Sequence, residues 1–229
     1  MALTNSIIYD GMELIYNNEN SLIYIEDPYN PLNLPAYTIR LLYKDGATPN
    51  FVKGTGVQVS ESPNIWDLTY VNSDWTELLR TEEDLLEVLG ANSSDVTNMT
   101  GMFWWCRSLR AVALFDTSNV TSMAGMFAFC QNGLTSVPLF DTSNVIVIGN
   151  MFAYCTLLKS VPLFDTSKVT NMHSMLHNCI NVESGALALY QQASTQTNPP
   201  SGHSETFREC GTDTVTGAAE LAQIPDDWK

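Results

Sequence analysis

The chain has 229 residues, 45% of them hydrophobic and 15% charged, so it can build a core but is less charged than most soluble domains. A formal net charge of −15 argues against nucleic acid as a partner, because such surfaces need clustered Lys and Arg, and against binding to anionic membranes. No run of about 18 apolar residues occurs, so membrane insertion is not expected.

Residues 1–35 predict a small β-rich segment that could serve for attachment. Apolar runs at 7–9 and 14–16 flank an Asp10-Gly11 pair, which is a strong signal for a two-residue hairpin. A third run follows at 22–25. Three prolines then interrupt the pattern and indicate a linker: Pro28, Pro31 and Pro35.

Residues 36–91 predict strands and then a helix, which together would cap the repeats that follow. Strand-forming residues occupy 37–43, 57–59 and 66–70. Between 73 and 90 the pattern favours a helix, with Ser73 as N-cap, a Thr81/Asp84 pair that resembles a capping box, and Gly90 as the stop. We therefore expect a β-rich and then helical N-terminal cap.

Residues 92–182 repeat one phrase with a period of 24 or 25 residues. The segment F-D-T-S-N-V starts at Phe115 and Phe140, and F-D-T-S-K-V starts at Phe164. Between these segments lie Met-Phe or Met-Leu pairs, each followed three residues later by one of four cysteines: Cys106, Cys130, Cys155 and Cys179. A fixed period in this range predicts stacked units that bury their apolar faces against one another.

Within each repeat, apolar residues spaced three, three, one and three apart predict one or two turns of inward-facing helix. The pattern L-x-x-V-x-L then predicts a strand at 109–114, 134–139 and 158–163, with the last Val and Leu pointing inward. The predicted fold class is therefore α+β: a leucine-rich-repeat solenoid of strand-plus-short-helix coils. A β-rich N-terminal region would precede it and a helical cap at 183–229 would follow, with helices over 185–193 and 218–223.

Five cysteines are an odd number, and none belongs to a C-x-x-C pair. Side chains stacked in parallel point the same way, which is poor geometry for a disulfide. We expect buried, reduced thiols.

The repeats resemble the BspA-like leucine-rich repeats of bacterial surface proteins, in the subtype also seen in mycoplasma lipoproteins. The phrase that carries the resemblance is F-D-T-S-N-V-T-x-M-x-x-M-F-x-x-C-x-x-L-x-x-V-P-L at 115–139. The flanks look like those of gut bacterial and phage-encoded members. The resemblance implies an extracellular surface protein, although the N-terminus has neither a secretory signal nor a lipobox cysteine. It therefore also implies a virion component as an alternative, with 1–35 as its attachment piece.

No residue pattern predicts catalysis, a cofactor or a metal. Asp116, Asp141 and Asp165 recur in identical settings, whereas acid–base catalysis needs carboxylates in different environments. We expect them to cap turns, with a calcium ladder as the alternative. His173 and His177 have a spacing typical of metal ligands, but no H-E-x-x-H glutamate accompanies them.

Two surfaces are candidates for binding, since aromatic residues anchor protein and glycan partners. One is the outward side of the predicted strands, with three phenylalanines; the alternative is that these pack in the core. The other is the pair of positions before each cysteine, which varies between repeats; there the alternative is that the second member packs between turns. The candidate ligand-binding residues are Trp104, Trp105, Phe129, Tyr154, His177, Phe115, Phe140, Phe164, Ser136 and Ser160.

The expected function is non-enzymatic binding or adhesion: a rigid repeat surface that recognises a protein or glycan on a host or neighbouring cell, from a bacterial surface or a phage tail. A structural spacer within a virion or surface complex is the alternative. A hydrolase is a remote alternative, because no nucleophile motif supports it.

Overall fold

The computed structural model describes residues 6–9, 12–16, 22–23 and 34–229. In its first part, three short strands form an antiparallel sheet: β1 (Ser6–Tyr9), β2 (Met12–Tyr16) and β3 (Leu22–Ile23). Strands therefore occupy all three predicted runs. The Asp10-Gly11 turn, Pro28 and Pro31 lie outside the described residues, and the domain boundaries stay predictions.

The second sheet is open and mixed, with strand order β5-β6-β4-β7-β8. All of its pairs are antiparallel except β7–β8. The central strand β4 is buried at every residue, whereas β5 lies at the edge and is largely exposed. The predicted strands within 36–72 are confirmed. The five strands are β4 (Thr38–Tyr43), β5 (Thr55–Glu61), β6 (Asn64–Thr69), β7 (Leu85–Ala91) and β8 (Ala111–Val112).

Consecutive tight turns make up much of each repeat, and successive copies stack on one another. We call these segments the turn stack; they comprise residues 75–82, 99–106, 123–130, 148–155, 172–179 and 203–210. Isolated parallel bridges connect successive copies at the residue directly before each segment. These residues are Asp74, Asn98, Ser122, Val147, Asn171 and Gly202.

The predicted helices in the repeats are wrong, because the backbone N–H groups of the turn stack alternate between two destinations. Met102 N donates to Met99 O three residues back (3.2 Å), whereas Phe103 N donates across to Met126 O of the next repeat (2.9 Å). An α-helix would need every N–H to bond four residues back. Two left-handed residues in each segment, such as Gly101 and Trp105 with φ of +62° and +66°, also interrupt helical geometry.

The helix predicted over 73–90 is also wrong. Residues 75–82 form the first segment of the turn stack, and 85–91 form β7 beside the central strand. The apolar run there is buried on both faces, and such a run does not distinguish a helix from a core strand. Gly90, the predicted helix stop, pairs with Arg40 inside the sheet.

The predicted stack of parallel strands is wrong beyond its first member, which is β8 paired with β7. Only Ala111–Val112 forms a strand, and Ala113 N continues the pairing by donating to Val88 O (2.9 Å). In the next two repeats the residue equivalent to Ala113 is Pro138 or Pro162. Proline has no N–H to donate, so this contact cannot recur and the strand does not extend.

The predicted fold class is therefore wrong. The described chain is mostly sheet and turn, not strand-plus-helix coils with a helical cap. Its helices are α1 (Ala186–Thr195), α2 (Val215–Leu221) and a single 3₁₀ turn at Asp226–Trp228. Both α-helices overlap the short helices predicted within 183–229, but the rest of that segment is turns.

The main core runs from the mixed sheet through the turn stack to the C-terminus as one buried cluster, and a smaller second cluster on the mixed sheet includes Leu42 and Leu89. In each repeat the recurring Val, Met, Phe and Cys face inward. Phe103, Phe127 and Phe152 stack with ring centroids 5.3 and 5.6 Å apart.

All five cysteines are free and buried, which confirms the expected reduced thiols. Cys106 donates its S–H to Leu79 O at 3.0 Å, and the next three repeat the same contact one copy further along. Burial raises the pKa of Cys155 and of Cys210 to about 12, so both thiols stay protonated at neutral pH.

Candidate binding surfaces

Four rings from successive repeats stack into what we call the aromatic column: Trp105, Phe129, Tyr154 and His177. Trp105 and Phe129 lie 4.9 Å apart, Phe129 and Tyr154 lie 4.8 Å apart and nearly parallel, and His177 follows at 5.2 Å. The Arg107 guanidinium covers the Trp105 ring at 4.3 Å. The faces of the inner rings are therefore occupied, and all four side chains remain partly exposed.

Three members of the column hold an unfavourable backbone conformation. Trp105, Phe129 and Tyr154 have φ values of +66°, +64° and +62°. A bulky residue in this left-handed region is an outlier, at a cost of about 1–2 kcal/mol. In the fourth repeat the same turn is made by Asn178, a residue that tolerates this region, and in the first and last segments of the turn stack by Thr81 and Glu209.

Beside the column lies a groove of 350 Å³, which we call the aromatic groove. Trp104, Phe129 and Tyr154 line one part of it, and Arg80 lies over the Trp104 ring at 3.9 Å while pairing with Glu77 at 2.8 Å. Small residues, which keep the groove open, make up much of the remaining lining: Gly101, Ala124, Gly125, Ala128, Gly149 and Ala153.

A second concave surface of 520 Å³ lies where the predicted strands end. We call it the leucine face; its residues are Leu114, Leu139, Leu163, Asp116, Asp141 and Asp165. Leu139 is 60% and Leu163 53% exposed, so their predicted inward orientation is wrong. Phe140 N donates to Pro138 O at 3.0 Å; this tight turn after the proline carries Leu139 outward and Phe140 inward. The same turn recurs one repeat later.

The three phenylalanines predicted to face a ligand are buried instead. Phe115, Phe140 and Phe164 are at most 1% exposed, and the Phe115 and Phe140 rings lie 5.2 Å apart. The core alternative therefore holds: Phe115 and Phe140 border the second concave surface but are buried beneath it. Ser136 is exposed, whereas Ser160 is half-buried and bridges Ser184. Neither serine lines either surface.

The aspartates cap turns, as predicted. One oxygen of Asp116, Asp141 and Asp165 accepts the backbone N–H two residues on, at 2.8–2.9 Å. The hydrogen bonds from Ser143 hold the pKa of Asp141 below its usual value. Within the described part of the chain none of the three aspartates forms a salt bridge.

The two spaced histidines contact different partners. His173 bonds Ser204 at 2.8 Å, whereas His177 lies 3.6 Å from Glu205. Among residues 34–229 no group of three or more His, Cys, Asp or Glu side chains could hold a metal ion. No helix in the described segments is long and apolar enough to cross a membrane.

Sequence reasoning found the aromatic positions but missed the groove and the leucine face. Small residues recur before the aromatic pairs, for example at Gly101 and Gly125, and this pattern was the available signal for the groove. For the leucine face the signal was the proline that precedes each exposed leucine, Pro138 and Pro162.

Residues 76–188 match the family model described as "Mycoplasma protein of unknown function, DUF285". The match spans just under half of the chain and contains both surfaces. It supports, loosely, the predicted likeness to mycoplasma-type repeat proteins and gives weak support to a surface protein. Its description assigns no activity. Searches of curated proteins and of solved structures find no match.

Proposed function

We propose that this protein is a non-enzymatic binding module that holds an apolar segment of another protein in the aromatic groove. The observation that carries the proposal is the set of three bulky aromatic residues in left-handed turns beside the groove. Gly or Asn would fit those turns without strain. Each ring therefore carries a strain cost at its turn, and strain of this kind clusters at functional sites.

The ring geometry favours a protein over a glycan. A sugar ring stacks on an open aromatic face, but both faces of Phe129 are covered by neighbouring rings, and Arg80 lies over Trp104. Ring edges and the partly exposed Ala124 and Gly125 remain available. Those surfaces suit aliphatic side chains, which pack into a shaped apolar groove without needing a flat face.

We further propose that the module acts outside the cell, on a bacterial surface or a phage virion, and mediates adhesion. The loose match to a mycoplasma family and the resemblance to BspA-like surface proteins support this setting. Gene neighbourhood tests it. Tail or baseplate genes beside this one would favour a virion, and secretion genes would favour a cell surface.

The direct test is the double variant Phe129→Asn/Tyr154→Asn, screened on arrays of host proteins and of glycans. Asn removes each ring but keeps a residue that the turn accepts, as Asn178 does in the fourth repeat. The matched control is Leu157→Asn, which removes a partly exposed apolar side chain from the third repeat without touching the groove.

We expect protein hits that the control still binds, and whose affinity for the double variant is at least about tenfold weaker, as for removal of aromatic hot spots. Protein hits that survive loss of both rings would contradict the proposal. Hits confined to glycans, or no hit that depends on the rings, would contradict it as well.

A further inference from the structure

The leucine face presents two parallel rows that the described chain does not cover. Leu139 and Leu163 are more than half exposed, and half-buried Leu114 continues their row. Asp116, Asp141 and Asp165 form the second row. A row of exposed leucines on a rigid stack is costly to leave in water, and such patches mark interaction sites.

The spacing of the rows selects the partner's secondary structure. Equivalent rings in successive repeats lie 4.8–5.6 Å apart. A helix laid along the stack offers one apolar side chain per three or four residues, which is about 5 Å. An extended strand offers one per two residues, about 6.6 Å, and so drifts out of register within three repeats.

Charge selects the partner's composition. The three aspartates have no salt-bridge partner in the described residues, and each keeps one carboxylate oxygen beyond the one that caps its turn. A partner with Lys or Arg beside its apolar stripe would complement this row. A second copy of the chain would not, because each copy carries a net charge of −15.

We infer that the leucine face binds a basic amphipathic helix of another protein, with leucines against the partner's apolar stripe and aspartates against its cations. The site is separate from the aromatic groove, so it does not rest on the proposed function. Helix-in-groove recognition of this kind reads anchors at i, i+3, i+4 and i+7.

The probe is a labelled synthetic peptide of about 18 residues, roughly 27 Å when helical, with a Leu stripe flanked by Lys. Two control peptides have the same length. One has the same composition scrambled so that no stripe forms, and the other has Glu in place of Lys. Binding is measured by fluorescence anisotropy at low and at physiological salt. We expect the basic amphipathic peptide to bind, with an affinity that weakens with salt, and both controls to bind at least about tenfold more weakly.

Two variants test the two rows. Asp116→Asn/Asp141→Asn/Asp165→Asn removes the charges but keeps an oxygen that can accept the turn N–H. Its charge-matched control is Asp45→Asn/Asp95→Asn/Asp213→Asn, at exposed positions that do not line the face. Leu139→Ser/Leu163→Ser removes the apolar row, with Ile146→Ser/Leu157→Ser as its control.

Both face variants should bind the peptide with about tenfold lower affinity, and both control variants should bind it within about twofold of the natural protein. If the Asp variant and its charge control lose the same affinity for the peptide, net charge alone explains the effect and the inference is overturned. Binding unaffected by the Leu variant would overturn it too, and so would a scrambled peptide that binds as well. Phe129→Asn/Tyr154→Asn should not change this binding, so failure here and failure of the groove proposal are distinguishable.

Discussion

Replacing Phe129 by Ala, Asn and Gly tests whether the aromatic column holds a strained backbone. All three variants lose the ring, so its contacts cancel when they are compared with one another. What differs is their fit to a φ of +64°. A side chain with a Cβ costs about 1–2 kcal/mol in this region, Gly costs nothing there, and Asn is better tolerated than Ala.

The magnitude follows from two opposing effects. Gly relieves about 1–2 kcal/mol of strain but loses about 0.5–1 kcal/mol through its more flexible unfolded state. Phe129→Gly should therefore be more stable than Phe129→Ala by about 0.5–1 kcal/mol, with Asn between them. Against the natural protein, each variant also loses the ring contacts with Trp104, Trp105 and Tyr154, worth about 0.5–1.5 kcal/mol apiece.

Urea unfolding monitored by circular dichroism measures these differences. The matched control is Trp104, which lines the same groove but lies outside the left-handed region. There the order should invert, with Trp104→Ala more stable than Trp104→Gly by about 0.5–1 kcal/mol. An Ala variant that is the more stable at both positions would refute the strain reasoning, and the proposed function would then lose the observation that carries it.

Three further outcomes follow from the packing and the charges. The Cys155 thiol, whose pKa burial raises to about 12, should resist alkylation at pH 8 in the folded protein and react once urea unfolds it, as mass spectrometry would record. Phe127→Leu should lower the free energy of unfolding by about 1–3 kcal/mol more than Phe103→Leu, because Phe127 stacks on three rings (Phe103, Phe140 and Phe152) and Phe103 on one; equal losses would contradict this. Hydrogen bonds from Thr76 lower the pKa of Asp74, so its charged form stabilises the fold at pH values above the usual pKa of Asp. The difference in stability between the natural protein and Asp74→Asn should therefore shrink as the pH falls below about 4. Thermal melts across pH 2–7 measure this difference, and one that persists at low pH would contradict the prediction.

The buried positions of the repeats were predictable, but their secondary structure was not. Residues that recur at every repeat become core in any stacked arrangement, and Met102, Phe103 and Cys106 are indeed buried. Apolar spacing of about three fits a short helix. It fits a run of tight turns equally well, because each turn also advances three residues between bonded groups. Periodicity alone therefore cannot separate the two.

Some strands of the mixed sheet were predictable from the sequence and one was not. β4, β5 and β6 were predictable, because strand-forming residues lie between turn signals such as Asp45-Gly46. β7 was not, since its leucine-rich run has the periodicity of a helix and only its place beside β4 selects a strand. The orientation of Leu139 depends on the turn that Pro138 allows, a local effect that the L-x-x-V-x-L pattern does not encode.

The backbone N–H groups of the turn stack bond either within their own segment or to the next repeat, and this explains why most outer side chains can vary. Most amides of each repeat bond within its own turns or to the next repeat, and the side chains of Asp74, Asn98 and Asn171 accept one amide each, so the remaining outer side chains are not needed to complete them. The ring contacts of Trp105, Phe129, Tyr154 and His177 contribute about 1.5–4.5 kcal/mol in total, while three left-handed aromatic residues cost about 3–6 kcal/mol. A row of Gly or Asn would forgo both terms, together with the apolar area that the half-buried rings remove from water. Folding terms of opposite sign therefore largely offset one another at these positions, and the proposed recognition at the groove edge would add a reason for rings there.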